Sequence, residues 1–276
     1  MLKLPRLLKK GKYKKLPILG VHNSGKTYFL TSLGYLISRY GWGTVCATAS
    51  VYFNKLLEYV LRGEPIPPTY KNYPIEIKIN SIVLPEDNLK PIPCNLIIYT
   101  EDFRGKDYEF VMNELVFKAE KNKNDFYKVF EKFRNLYKGA DGIIAIIDLV
   151  GNATTEDFRK NKTKFILNAL SRQVIPIIKG IQLVSEVTNL RKKPVFFVFT
   201  KSDIHGLSTD EISKYFDKIM EKTLKKLKDK GAIIKKYTVC SLGWGKGNTC
   251  EDRLKRLEAQ GFVEIILDIA RIFCKL

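Results

Sequence analysis

The sequence lacks the features that mark several classes of protein. Its five cysteines form no CxxC pair and only two histidines occur in 276 residues, which argues against a zinc site or a disulfide framework. No apolar run approaches the roughly 20 residues needed to cross a bilayer. The basic first 15 residues are not followed by the apolar stretch of a signal peptide. We therefore expect a protein of the cytoplasm, which is a reducing compartment. Its positive charge also allows peripheral attachment to a membrane.

Acidic residues are also scarce, with 29 Asp and Glu against 48 Lys and Arg and a formal net charge of +19. Such an excess attracts an anionic membrane surface or nucleic acid without identifying which. Seven cations precede the first predicted strand: Lys3, Arg6, Lys9, Lys10, Lys12, Lys14 and Lys15. Four leucines of the same segment could form a short apolar face, as in a segment that docks on a membrane or partner: Leu2, Leu4, Leu7 and Leu8. We divide the chain into a basic N-terminal arm, residues 1–15, and one domain, residues 16–276.

The fold class follows from the alternation of short β-branched runs with longer amphipathic stretches. Hydrophobic residues make up 45% of the chain, which is enough for a packed core. The predicted strands are 16–20, 74–84, 95–101, 142–148, 195–200 and 233–241, and the clearest helices are 25–40 and 125–137. This alternation predicts an α/β sheet flanked by helices. Four prolines in residues 63–74 predict an ordered loop there.

A glycine-rich motif lies between the first predicted strand and the first predicted helix. Residues 20–27 read GVHNSGKT and match GxxxxGK[ST], the loop whose backbone N–H groups hold the phosphates of a nucleotide. The helix that follows adds the positive end of its dipole. In this arrangement Lys26 reaches the terminal phosphates and Thr27 binds Mg²⁺.

Two further motifs follow predicted strands, at the sheet edge where ligands of open α/β sheets bind. Asp102 and Gly105 belong to a DxxG motif, in which the carboxylate can hold Mg²⁺ through water and the glycine N–H can meet the γ-phosphate. Residues 200–203 read TKSD. The carboxylate of Asp203 can accept two hydrogen bonds from guanine N1–H and its amino group, a donor pair that adenine lacks. A buried acceptor facing adenine would lose roughly 1–3 kcal/mol, which favours guanine.

In their order from residue 20 to residue 241, these motifs resemble those of the Ras-like small GTPases of the translation-factor-related (TRAFAC) P-loop class. Residues 138–148 look like the strand after the second switch, and residues 239–242 are similar to the loop that touches guanine O6. Residues 61–69 look closest to prokaryotic double-GTPase and gliding-polarity-type GTPase domains, which implies that Thr69 is the threonine of the first switch. The resemblance implies a P-loop three-layer sandwich: a six-stranded, mainly parallel sheet with one antiparallel strand and helices on both faces. Residues 16–276 then form a Ras-like GTPase domain with insertions.

The function implied is a GTP-binding switch that hydrolyses GTP to GDP and phosphate, with Mg²⁺ as cofactor and a protein effector or activator as partner. The catalytic residues implied are Lys26, Thr69 and Gly105. The metal ligands implied are Thr27, Thr69 and Asp102. The nucleotide-binding residues implied are Gly20, His22, Asn23, Ser24, Gly25, Lys26, Thr27, Thr200, Lys201, Asp203, Ser241 and Leu242.

Three departures from the family pattern leave alternatives open. Lys106 stands where these GTPases carry the glutamine that orients the attacking water, so intrinsic hydrolysis is expected to be slow without a partner. His22 replaces a small residue beside the expected γ-phosphate, either as a solvated loop residue or as an aid to placing water. Asp148 also ends an apolar strand, so a P-loop ATPase that uses it as the metal-binding acid is one rival. A GTP-bound module that does not hydrolyse the nucleotide is the other.

Overall fold

The computed structural model describes residues 12–21, 24–45, 50–62, 64, 74–83, 92–101, 123–150, 156, 160–201, 205–239 and 261–274. The strands in these ranges are β1 (Lys14–Leu19), β2 (Gly43–Val45), β3 (Pro74–Ile82), β4 (Ile92–Glu101), β5 (Ile143–Asp148), β6 (Pro194–Thr200) and β7 (Ile233–Thr238). The helices are α1 (Lys26–Arg39), α2 (Ser50–Arg62), α3 (Lys123–Tyr137), α4 (Lys162–Val187), α5 (Thr209–Asp229) and α6 (Phe262–Phe273).

The seven strands form one sheet in the order β2-β3-β4-β1-β5-β6-β7. Neighbouring strands run parallel from β4 through β1, β5 and β6 to β7. β3 pairs antiparallel with both of its neighbours, β2 and β4, so it is the one strand that runs in the opposite direction. The prediction of a mainly parallel sheet with one antiparallel strand is confirmed. The count of six strands was wrong, because the three residues of β2 are too few to show a period.

Helices cover both faces of the sheet and give the molecule three layers. On one face α1, α2 and α6 bury Phe29, Leu56 and Ile265 against the sheet. On the other face α3, α4 and α5 bury side chains such as Leu170 and Phe216. Every residue of β5 and β6 is buried, because parallel strands covered on both faces have continuous apolar sequences.

The bounds of the observed elements differ from the predicted ones by three residues or fewer, in both directions. β1 begins at Lys14 rather than at residue 16, so Lys14 and Lys15, which we grouped with the basic arm, belong to the sheet. The amide of Lys15 and the ammonium of Lys14 both donate to the Asp141 carboxylate. Residues 1–11 of the arm and most of the proline-rich segment 63–74 lie outside the described residues.

The cysteine pattern led us to expect no disulfide framework, and this was wrong for one pair. Cys94 near the start of β4 and Cys274 after α6 are disulfide-bonded, with their Cα atoms 5.3 Å apart. Cys94 is buried, and the two positions are 180 residues apart in sequence. Sequence spacing alone cannot show such a pair, because the fold brings it together.

None of the helices in the described ranges has the length and apolar character to span a membrane.

Candidate nucleotide-binding site

The predicted phosphate loop, residues 20–27, joins the end of β1 to the start of α1. Gly25 precedes the helix with φ of +87°, a left-handed conformation that residues with a side chain rarely adopt. The Phe29 amide then donates to the Gly25 carbonyl at 2.8 Å and closes the first turn. The loop therefore leads directly into the N-terminus of α1, where helix amides and the helix dipole favour an anion.

The loop is closed tightly at its other end. A Cβ atom on Gly20 would lie 2.6 Å from Ser24 Oγ and 3.0 Å from the Ile146 carbonyl oxygen, so a larger residue would require these neighbours to shift. Ser24 is 1% exposed, and its Oγ has no hydrogen-bond partner among the described residues. A buried hydroxyl without a partner is costly, and a phosphate at this loop would give it one. The glycine and the serine thus fit a site that holds phosphate.

Lys26 is the first residue of α1 and its side chain lies along the loop. Its ammonium donates to the carbonyl of Gly20 at 3.0 Å and to that of Val21 at 2.7 Å. Both acceptors belong to the predicted phosphate loop, so the ammonium contacts the backbone of that loop.

The end of β6 is hydrogen-bonded to the phosphate loop. The Thr200 hydroxyl lies 3.2 Å from the Ser24 carbonyl oxygen and 3.4 Å from that of Ile147. Thr200 is 4% exposed, and a Cβ on Gly25 would lie 3.5 Å from its side chain. The first residue of the TKSD motif and the predicted phosphate loop, separated by 176 positions, are therefore in direct contact.

Lys201, the second residue of that motif, forms an ion pair with Asp148. The distance from its Nζ to Asp148 Oδ2 is 2.7 Å. Asp148 ends β5, is 3% exposed, and also accepts the Val150 amide at Oδ1, 2.8 Å away. The amide of Asp148 donates to the side chain of Gln173, whose own amide group donates back to the Asp148 carbonyl.

Several predicted residues lie outside the described residues: His22, Asn23, Thr69, Asp102, Gly105, Lys106, Asp203, Ser241 and Leu242. Three of these segments follow strands that are themselves described. These strands are β4, β6 and β7, which end at Glu101, Thr200 and Thr238. β4, β6 and β7 run in the same direction as β1. Their carboxyl ends, like that of β1, therefore lie at one edge of the sheet.

Of the three predicted magnesium ligands, Thr27 is the one that lies among the described residues. Thr27 lies in the first turn of α1, next to Lys26. Across the described part of the chain, no group of three or more His, Cys, Asp or Glu side chains could hold a metal. Mg²⁺ in phosphate sites uses few protein ligands and takes the rest from phosphate and water.

Sequence reasoning missed Gln173. It lies in the apolar stripe of α4, between Leu170 and Ile177, and is 8% exposed. The sequence did carry one signal for it, a polar residue at a core-facing position of an apolar stripe. Burial of such a side chain costs free energy unless it is hydrogen-bonded, so its position indicates a buried partner.

The helix after the TKSD motif has a capping box at its start. The Ser208 hydroxyl accepts from the Glu211 amide at 3.2 Å, and the Glu211 carboxylate accepts from the Ser208 amide at 2.8 Å. Hydrogen bonds from the Ser208 backbone and hydroxyl hold the pKa of Glu211 below its ordinary value. The box fixes the start of α5 at Thr209, six positions beyond the last residue of the motif.

Two solved structures are similar to this chain at low identity. One is described as an ADP-ribosylation-factor-like GTP-binding protein, or small COPII coat GTPase SAR1, from Encephalitozoon cuniculi in complex with GDP. Its sequence identity is 13%, its TM-score is 0.37, and the match covers 94% of this chain and 84% of that one. The other is a GTP-binding protein from Sulfolobus solfataricus in complex with GDP, at 11% identity and a TM-score of 0.39, covering 95% of this chain and 53% of that one. No protein-family model matches the chain, and no curated protein matches its sequence.

The class of fold therefore rests on the topology of the chain itself. It is a three-layer α/β fold with a mixed, mainly parallel seven-stranded sheet, consistent with the fold expected for a P-loop GTPase.

Proposed function

We propose that this protein is a guanine-nucleotide-binding switch of the Ras-like type, which hydrolyses GTP to GDP and phosphate. The observation that carries the proposal is the contact between the Thr200 hydroxyl and the Ser24 carbonyl. This contact joins the first residue of the TKSD motif to the predicted phosphate loop, which supports the binding of one nucleotide across both motifs.

The residues would divide the work of binding and hydrolysis. The loop amides and Lys26 would bind the β- and γ-phosphates and offset the charge that develops as water attacks in line. Thr27, with Thr69 and Asp102, would hold Mg²⁺, which neutralises phosphate charge when bound. Gly105 would meet the γ-phosphate through its N–H, and loss of that phosphate would release the segments around Thr69 and Gly105.

The base-binding residues would be Thr200, Lys201 and Asp203, with Ser241 and Leu242 beside guanine O6. The Lys106 that follows the DxxG motif offers no amide to orient water, so we expect slow turnover that a partner protein accelerates.

The rival ATPase needs Asp148 as a metal-binding acid, and the contacts of this residue weigh against that role. Its carboxylate binds the Lys201 ammonium and caps the Val150 amide. A carboxylate already committed to a cation of the TKSD motif supports base recognition rather than metal binding.

The test is thermal unfolding of nucleotide-free protein with Mg²⁺ and GTP, GDP, ATP or ADP in turn. Ligand at about 100 times its dissociation constant adds roughly 2.7 kcal/mol to the free energy of unfolding, which a melting curve resolves. We expect GTP and GDP to raise the melting temperature and the adenine nucleotides to leave it unchanged.

Two variants accompany this test. Lys26→Ala should remove the shift given by both guanine nucleotides, and Asp203→Asn should weaken their binding selectively. A shift with adenine nucleotides alone, or unchanged GTP affinity in Asp203→Asn, would overturn the guanine assignment. Release of phosphate from GTP, measured on the same samples, separates a GTPase from a module that only binds GTP.

We also propose that the protein meets an anionic membrane surface through its basic arm. The support is the net charge of +19 and the leucines among the cations of residues 1–11. The test is sedimentation with vesicles containing anionic lipid, comparing the full chain with one that begins at Lys12, which keeps β1 intact. Equal binding by the two chains would remove the arm from the proposal.

A further inference from the structure

We infer that Gln173 and Asp148 are positioning residues that fix Lys201 beside the phosphate loop and so connect α4 to nucleotide binding. The inference rests on the proposed function for its consequence, although the positioning itself concerns only residues of this chain.

The first step is the unusual backbone of Lys201. Its φ is +66°, a left-handed conformation that is strained for a residue with a side chain. Such a conformation persists only where its surroundings hold it. The Lys201 carbonyl accepts the His205 amide at 3.1 Å, and the other end of the residue is the ammonium that Asp148 binds.

The second step is the burial of the acid that binds this ammonium. Asp148 is 3% exposed, and the side chain of Lys201 is 21% exposed. In such surroundings a charge-assisted hydrogen bond of 2.7 Å is strong and directional. In the register of the sheet Asp148 lies directly opposite Thr200, so the acid approaches the TKSD motif from the neighbouring strand.

The third step is the clamp on Asp148. Gln173 accepts the Asp148 amide at 2.9 Å and donates to the carbonyl of the same residue. Both main-chain groups of Asp148 are thus satisfied by one side chain at the point where β5 ends. A leucine or isoleucine, as found at the neighbouring positions of the α4 stripe, could pack there but could not hold the strand end. The polar residue in the apolar stripe is therefore explained by the orientation of Asp148.

The experiment uses the full chain and three variants. Asp148→Asn keeps the shape and an acceptor for the Val150 amide but removes the charge. Gln173→Leu removes both hydrogen bonds to the main chain of Asp148. The ion pair between Asp148 and Lys201 then remains without this support. Gln182→Leu is the matched control, because Gln182 lies on the same helix at an exposed position.

The first measurement needs no nucleotide. Brief acetylation of the folded protein with acetic anhydride, followed by mass spectrometry, reports how accessible and how mobile the Lys201 amine is. We expect acetylation of Lys201 to rise several-fold in Asp148→Asn and Gln173→Leu and to stay at the wild-type level in Gln182→Leu. Wild-type acetylation of Lys201 in Gln173→Leu would overturn the positioning role of Gln173.

The second measurement is the affinity for GDP with Mg²⁺. We expect the dissociation constant to rise about tenfold in Asp148→Asn, the order expected from loss of one charge-assisted hydrogen bond. In a Lys201→Met background the same change should have little further effect, because the acid acts through the lysine. Equal affinities in wild type and Asp148→Asn would overturn the connection to binding. Absence of GDP binding by the wild type would overturn the proposed function. The acetylation measurement would still test whether Gln173 and Asp148 position Lys201.

Discussion

Thr200 joins the two parts of the candidate site through a single hydroxyl. Thr200→Val keeps the shape of the side chain but removes the O–H that faces the carbonyls of Ser24 and Ile147. Loss of a buried hydrogen bond costs about 1 kcal/mol, and here it loosens the loop that would hold phosphate. We expect the dissociation constant for GDP to rise about fivefold, measured by titration calorimetry.

A matched substitution lies elsewhere in the molecule. The Thr188 hydroxyl donates to the Ala140 carbonyl at 3.1 Å, accepts the Lys193 ammonium at 3.1 Å and is also buried, but it lies just after α4, away from the predicted phosphate loop. Thr188→Val should lower the free energy of unfolding by a similar amount and leave the GDP affinity unchanged. Equal loss of affinity in both variants would mean that Thr200 acts through general stability.

At the residue scale, the sequence predicted which residues lie at the ends of strands, and it did not predict which side chains contact one another in the packed protein. The spacing of glycines and the position of TKSD after an apolar strand placed Gly20, Ser24 and Thr200 at one edge of the sheet, where the structure has them. The ion pair between Lys201 and Asp148 was not predicted, because the motifs assigned Lys201 to nucleotide binding and Asp148 to the metal site of the rival ATPase. Gln173 was not predicted because a pattern of apolar positions does not show which main-chain groups a polar side chain among them will hydrogen-bond.

The start of α5 depends on its capping box. Ser208→Ala removes the hydroxyl that accepts the Glu211 amide, and loss of such a cap costs about 1 kcal/mol. We expect the midpoint of urea unfolding to fall accordingly, with the slope unchanged. Ser213→Ala, in the same helix but inside it, is the control and should be neutral or slightly stabilising because alanine is the better helix former.

The same box makes the helix sensitive to acid. The pKa of Glu211 is lowered by its bonds from Ser208, so the folded protein binds its proton less readily than the unfolded chain does. The stabilisation is therefore fully present above the ordinary glutamate pKa and is lost as the pH falls through the lowered one. The difference in unfolding free energy between wild type and Glu211→Gln should shrink as the pH falls through this acidic range, and a constant difference would contradict the role of the carboxylate.

Elements were predictable where one period ran without interruption. α1, β5 and β6 were found within three residues of their observed bounds, because each has a long apolar stripe or run. α4 was not among the predicted helices, and Pro176 inside it is a reason, since proline normally ends a helical pattern. Tertiary packing of Ile166, Leu170 and Ile177 outweighs that local cost.

For the whole molecule, the disulfide between Cys94 and Cys274 predicts stability that depends on thiol reagents. A crosslink over 180 positions stabilises by at most about 5 kcal/mol in the chain-entropy account. We expect dithiothreitol to lower the melting temperature of the wild type and to have no such effect on Cys274→Ser. Cys250→Ser is the control and should keep the response to reductant. Identical melting of the wild type with and without dithiothreitol would contradict the prediction.

The bond between β4 and the end of α6 also turns most of the chain into a covalent ring. The ring runs from residue 94 to residue 274 and contains β5, β6 and β7. A protease that nicks the backbone once anywhere inside it would leave two fragments still joined to each other. On a non-reducing gel the nicked protein would migrate as one species, and only a thiol would separate the pieces.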